Sequence, residues 1–391
     1  MARPEGSPRM FMYFPTNYVW SMAAVAALNN GGFIDEVDRA CKPVLEASKN
    51  GDDVGTEDLY ASWAAVADRL IASAEADESI GRTIGAGDKY YRASLYTSQA
   101  ERLQSPTWPG RTAAYQKSMD LLMKHIALSD SPVTRVEVPY EGASLPGYFH
   151  PAGPNAPVMI QFNGLDSTKE MMFYSGFPQM LARRGIATLM VDTPGSGEAL
   201  RMRGLTARVD TEAWASACID YLETRDDVDA SQIGIVGWSL GGYYAPRAAA
   251  FEKRLKLAVA WGANHNWAEV QHKRIAREGE NPVPHYWEHV FWVWGVSNMD
   301  EFLETTKNMH LNGVVDKITV PFLITHGAND RQISVDYAHQ SHDQAVNSPK
   351  NELRIFDEPE GGTEHISIDN MTYVAGFIAD WVAETFAELR G

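Results

Sequence analysis

An α/β fold with a mostly parallel central sheet, a helical N-terminal domain and a helical lid insertion is what this 391-residue sequence predicts. Three observations lead there. Apolar residues recur at helical spacing through residues 1–130. From Val133 onward, short apolar runs alternate with helix-compatible stretches, as parallel strands covered on both faces require. One of those runs, Ile233–Val236, leads into Gly237-Trp238-Ser239-Leu240-Gly241 and then a helix-compatible Tyr243–Phe251. A G-x-S-x-G turn between a strand and a helix is a nucleophile elbow.

Composition narrows the class. Hydrophobic residues make up 45% and charged residues 22%, which fits a globular chain. The net charge of −17, from 34 basic and 51 acidic residues, argues against nucleic acid or an anionic membrane as partner. Cys41 and Cys218 form neither a disulfide framework nor a zinc pattern, so a reducing cytoplasm is the expected compartment. No metal and no cofactor are expected.

The elements follow in order. Phe11–Leu28 is apolar behind Arg3 and Arg9, in the manner of a secretion signal, but Pro4 and Glu5 precede it and Pro15-Thr16-Asn17 interrupts it, which favours a helix of the folded protein. Asn17 reads as the cap of a buried or dimer-contact helix over Tyr18–Leu28. Thr56 is expected to cap a second helix, with Glu57 and Asp58 in its first turn and Leu59, Trp63, Val66 and Leu70 on one face. Tyr91, Leu95 and Arg102 lie on another. Ser105–Gly110 breaks it from a further stripe at Tyr115, Met119, Leu122 and Ile126. Residues 1–130 therefore read as one helical domain and 131–391 as the sheet domain.

Val133–Pro139 and Leu145–His150 predict a hairpin. Apolar runs at Val158–Phe162, Ile186–Val191, Ile233–Val236, Leu257–Trp261, Phe322–Thr325 and Leu353–Phe356 predict the remaining strands. Helical stretches fall near 170–184, 211–224, 241–252, 335–346 and 370–389. The interval 263–317 is too long for a simple crossover and carries Trp267, Trp287, Trp292 and Trp294. It reads as a lid that, with the N-terminal helices, encloses an aromatic pocket.

A serine hydroxyl needs a histidine base oriented by a carboxylate, in this topology in the chain order Ser, Asp or Glu, His, each just after a strand. Ser239 is the nucleophile candidate. Asp330 follows the run Phe322–Thr325 through His326-Gly327-Ala328-Asn329, with Asp357 and Glu358 as alternatives. His365 lies in the loop after Leu353–Phe356. His339 and His342 fall in a surface helix, and His326 reads as structural. Two backbone N–H groups are needed for an oxyanion, and Leu240 and Leu165, the latter in Asn163-Gly164-Leu165-Asp166, are their candidates. His285 and His289 are spaced i, i+4, but Tyr286 replaces the glutamate of H-E-x-x-H, so no metal site is assigned. Thr193-Pro194-Gly195-Ser196-Gly197 lacks the lysine of a phosphate loop and reads as a tight turn beside the site.

At these residues the chain resembles the α/β-hydrolases. The segments Phe162–Glu170, Asp192–Glu198 and Gly237–Tyr244 are similar to the 2,6-dihydroxypseudooxynicotine hydrolase branch and to fungal polyketide-shortening hydrolases. The resemblance implies carbon–carbon bond cleavage in aryl ketones or diketones, with a triad on Ser239, Asp330 and His365. It also implies an acidic residue in the insertion, for which Glu269 is the nearest match, and dimers formed through the helical region. Members acting on esters or lactones keep that alternative open. Candidate substrate contacts are Asp166 and Trp238 beside the nucleophile, and His265, Trp267, Glu269 and His285 in the lid. A hydrolase-like binding protein that has lost turnover is the non-enzymatic alternative.

Overall fold

The computed structural model describes residues 10–165, 167–277 and 283–391. The chain divides into two units. One comprises residues 10–133 together with 283–290. The other comprises 134–277 and 291–391.

In the first unit α1 (Tyr18–Asn29), α2 (Ile34–Cys41), α3 (Thr56–Ser79), α4 (Thr83–Arg102) and α5 (Arg111–Leu128) pack in sequence. Asn17 caps α1 by accepting the Trp20 N–H at 2.9 Å, as the sequence predicts. Thr56 does not cap α3. It is the first helical residue, and the preceding Gly55 takes the cap position at φ +83°, a conformation glycine adopts without a Cβ clash. Leu59, Trp63 and Val66 are buried on α3, and Trp63 meets Tyr96 of α4 edge-on at 5.7 Å. A fully buried Arg111–Glu101 pair at 2.9 Å joins α5 to α4. The segment 283–290, expected within the lid, groups with these helices. The sequence places it by its position in the strand-free interval after Leu257–Trp261, whereas packing groups it with the helices.

The second unit is built on one eight-stranded sheet. Its strands are β1 (Thr134–Tyr140), β2 (Ala143–His150), β3 (Ala156–Phe162), β4 (Ala187–Val191), β5 (Val228–Trp238), β6 (Leu257–Trp261), β7 (Phe322–Gly327) and β8 (Asn351–Phe356). The spatial order is β1-β2-β4-β3-β5-β6-β7-β8. The first hairpin turns on Glu141 and Gly142 at φ +43° and +79°, the two-residue turn that matches strand twist. β2 is antiparallel to β4, and β3 through β8 run parallel to one another. β3 and β4 are buried throughout, which explains why they read as mostly apolar runs, broken only by the buried Gln161 and Thr188.

This order fixes where loops meet. The chain passes from β3 outward to β4 and returns across β3 to β5, so β3 and β5 flank a topological switch point. Phe162 pairs with Gly237, Trp238 with Trp261, Trp261 with Thr325, and Gly327 with Phe356. The C-terminal ends of five strands are thereby aligned. Between β6 and β7 the excursion forms the helices Trp267–Ala276, Tyr286–Trp294 and Met299–Thr306.

Candidate active site

Ser239 follows β5 and precedes the helix Gly241–Phe251. It takes φ +57°, which lifts its side chain out of the strand direction. Its N–H donates to the Trp261 carbonyl at 3.0 Å, and its own carbonyl accepts from Gly242 N–H at 2.8 Å. The flanking glycines are required sterically. A Cβ on Gly237 would lie 2.1 Å from the Gly241 carbonyl oxygen, and one on Gly241 would lie 2.8 Å from that of Asn163.

His365 stands between the other two groups. Its Nε2 is 2.8 Å from Ser239 Oγ, and its Nδ1 is 2.8 Å from Asp330 Oδ2. The neutral tautomer that satisfies both contacts donates from Nδ1 to the carboxylate and accepts the serine hydroxyl at Nε2. Asp330 is fully buried, and its Oδ1 accepts the N–H groups of Gln332 and Ile333 at 2.8 and 3.0 Å. Burial raises its pKa, but the adjacent His365 and His326 and the Ile333 N–H prevail and hold it below the ordinary carboxylate value. Asp357 and Glu358, the alternative acids, are exposed.

The loops carrying these groups brace one another. Asp369 accepts the N–H groups of Gly362, Thr363 and Glu364 at 2.8, 2.9 and 2.9 Å. Asn329 donates to the Glu364 carboxylate at 2.7 Å, tying the acid loop to the base loop. After His365 the backbone takes two successive positive φ values, at Ile366 and Ser367 (+48° and +60°), and the Trp261 indole donates to the Ile366 carbonyl at 3.1 Å. The loop after β3 reaches the same place. A Cβ on Gly164 would fall 2.7 Å from Ser239 Cβ and 3.2 Å from Leu240 N. Leu165 and Leu240, the oxyanion candidates, therefore belong to segments that touch at Ser239. Leu240 also precedes the first turn of a helix, where N–H groups lack intrahelical acceptors.

The expected substrate contacts fare differently. Asp166 lies outside the described residues. Trp238 is buried, donates its indole N–H to Ser167 Oγ at 3.1 Å and meets Trp261 edge-on at 5.8 Å. His265 is buried with both nitrogens engaged, Nδ1 by Ser341 and Nε2 by Asn312, each at 3.0 Å, so its ring is committed to packing. Trp267 stacks on Trp294 at 5.5 Å and is likewise core. Glu269 is partly exposed and pairs with Lys273 at 2.6 Å, which lowers its pKa and keeps it ionised. His285 belongs to the helical unit, where Nε2 lies 3.2 Å from Thr56 Oγ1 and its N–H donates to Asp53 at 2.6 Å. Among the described residues no three His, Cys, Asp or Glu side chains are placed to hold a metal.

Sequence reasoning passed over two features. His326, read as structural, sits beneath the acid with Nε2 3.5 Å from Asp330 Oδ2 and 2.9 Å from the Ile333 carbonyl. Lys169 is fully buried among Glu170, Asp192 and Glu198. Asp192, directly abutting the end of the run Ile186–Val191, was the available signal.

With this geometry in view, comparison with known proteins assigns the family. Residues 173–388, more than half of the chain, match the prolyl oligopeptidase family. The chain belongs to that family. Several known proteins are similar to it along most of their length. The hydrolase LUC6 of a Fusarium species is 28% identical over 97% of this chain and 99% of its own. The 20-hydroxy-prefusarin hydrolase of Gibberella moniliformis is 29% identical over 90% and 92%. The 2,6-dihydropseudooxynicotine hydrolase of Paenarthrobacter nicotinovorans is 28% identical over 73% and 77%. A crystal structure of the 2,6-dihydroxy-pseudo-oxynicotine hydrolase superposes with a TM-score of 0.73 at 24% identity, covering 93% of this chain and 95% of that one. The family membership and the sheet identify the chain as a hydrolase of the α/β-hydrolase fold.

Proposed function

We propose that this hydrolase acts through Ser239, with His365 as base and Asp330 as its orienting acid, on a carbonyl compound of aromatic or polyketide-like character. The observation that carries the reading is the unbroken chain Asp330 Oδ2–His365–Ser239 Oγ, with two contacts of 2.8 Å. His365 Nε2 takes the Ser239 proton as Oγ attacks the carbonyl carbon. The oxyanion is held by the N–H groups of Leu165 and Leu240. In carbon–carbon cleavage the bond to the neighbouring carbon breaks, and that carbon, stabilised by a phenol ring or a second carbonyl, takes the proton from His365. Water, deprotonated by His365, then releases the acyl group as a carboxylic acid and restores the serine. The similarity to 2,6-dihydropseudooxynicotine hydrolase and to a prefusarin hydrolase supports the substrate class. The ionised, Lys273-paired Glu269 is not assigned the proton transfer.

The test incubates wild type and Ser239→Ala with aryl β-diketones and matched aryl esters and lactones, reading products by mass spectrometry. Diketone cleavage that the variant lacks is expected. Cleavage confined to esters or lactones would replace this bond assignment with an esterase. A well-folded wild type that no fluorophosphonate labels at Ser239 would end the serine-hydrolase reading.

A further inference from the structure

We propose that the buried ion cluster around Lys169 is a positioning device for the candidate oxyanion loop, linked to it through Asp192 and Asn163. It rests on the serine-hydrolase reading above.

The Lys169 ammonium is fully buried and has three donors. It meets three carboxylates: Glu170 Oε1 at 2.8 Å, Asp192 Oδ2 at 3.1 Å and Glu198 Oε2 at 2.9 Å. Tyr148 O–H donates to Glu170 at 2.9 Å, and Arg135 and Arg203 reach Glu198 Oε1 at 2.6 and 3.0 Å. Such a cluster is a poor source of stability, because desolvating the ions offsets most of their attraction and apolar side chains could fill the same space. What apolar side chains cannot supply is direction.

Asp192 supplies it. Its Oδ1 accepts the Lys169 backbone N–H at 2.6 Å and the Asn163 amide at 3.0 Å. Its Oδ2 accepts the Glu198 N–H at 2.8 Å as well as the Lys169 ammonium. One carboxylate thus joins the ends of β3 and β4 to the first turns of the helices Lys169–Tyr174 and Gly197–Arg201. Burial pushes the Asp192 carboxyl up, and the Lys169 ammonium opposes that. Without the ammonium, Asp192 would take up a proton and lose acceptor capacity, loosening its hold on Asn163. Asn163 immediately precedes Gly164, whose missing Cβ lets the loop lie against Ser239. There is no slack there, so a displacement of Asn163 passes directly to Leu165.

The experiment uses the full chain and a fluorophosphonate as probe, measuring the rate of Ser239 phosphonylation across pH. The variants are Asn163→Ala, which cuts the link, and the pair Lys169→Met with Glu170→Gln, which removes one charge of each sign. Near-UV circular dichroism verifies the fold. Losing an oxyanion donor outright costs about 10²–10³-fold. A displaced donor is expected to slow labelling by about 10–100-fold, with the pH midpoint of labelling unchanged. A merely structural defect would disturb the base and move that midpoint. Either folded variant labelling at the wild-type rate overturns the proposal while leaving the triad reading intact. An unlabelled wild type would remove both. If the paired variant does not fold, Asn163→Ala decides alone.

Discussion

Ser239 sits at φ +57°, a conformation that costs a non-glycine residue roughly 1–2 kcal/mol. The backbone bonds to Trp261 and Gly242 hold it there. Asp330 is equally constrained. Its Oδ1 is occupied by two N–H groups, which leaves Oδ2 to face His365. Asp330→Asn would keep the shape but offer an amide that favours the wrong histidine tautomer. On the proposed mechanism, kcat should fall about 10⁴-fold with near-UV circular dichroism unchanged. A loss below tenfold would move the acid to another carboxylate. The three residues of the proposed triad were legible because each lies in the loop that follows an apolar run and the fold dictates their order. His265 and Trp267 were less so. Their residue types suit a binding pocket and a core alike, and only their partners distinguish the two.

At the scale of the element, the elbow and the C-terminal helix make opposite demands on glycine. Gly237→Ala would drive a Cβ against the Gly241 carbonyl, which is backbone and cannot step aside. We expect a loss of about 3 kcal/mol or more, seen as a depressed Tm and failure of Ser239 to label. Gly376 lies inside the helix Met371–Arg390 with open space where its Cβ would go. Gly376→Ala should stabilise by about 1 kcal/mol, raising Tm by about 1 °C at full activity. Equal effects at the two positions would contradict this account of the elbow. The strands were readable because a buried parallel strand is mostly apolar. The edge strand β8 was caught only over Leu353–Phe356, since its first residues are polar and half-buried.

Over the whole molecule, buried titratable groups set the response to acid. Burial holds the His265 and His326 imidazoles below their ordinary value of 6.5. The unfolded chain therefore binds more protons below about 6.5, and stability falls as the pH drops through that range. Burial also raises Glu198, but Arg135 and Lys169 prevail and bring it to about 2 from an ordinary 4.5. That contribution is complete above 4.5 and is lost as the pH falls towards 2. Asp192, raised by burial, acts in the opposite sense. Urea midpoints should decline from pH 7 to 5 and again to 3, and Glu198→Gln should flatten the second step. A midpoint that holds or rises into acid would refute the assignment. Among the described residues, no helix is long and apolar enough to cross a membrane.

By itself the sequence determined the alternation of strands and helices, the elbow and the chain order of Ser239, Asp330 and His365. These depend on local period and on a topology with few solutions. Only the tertiary structure decided that 283–290 packs with the helical unit, that His265 is spent on Ser341 and Asn312, and that Lys169 is buried. The physical reason is common to all three. Burial and partnership depend on residues distant in the chain, and the sequence around Lys169 does not show that Asp192 and Glu198, from two later segments, close around it together with the adjacent Glu170.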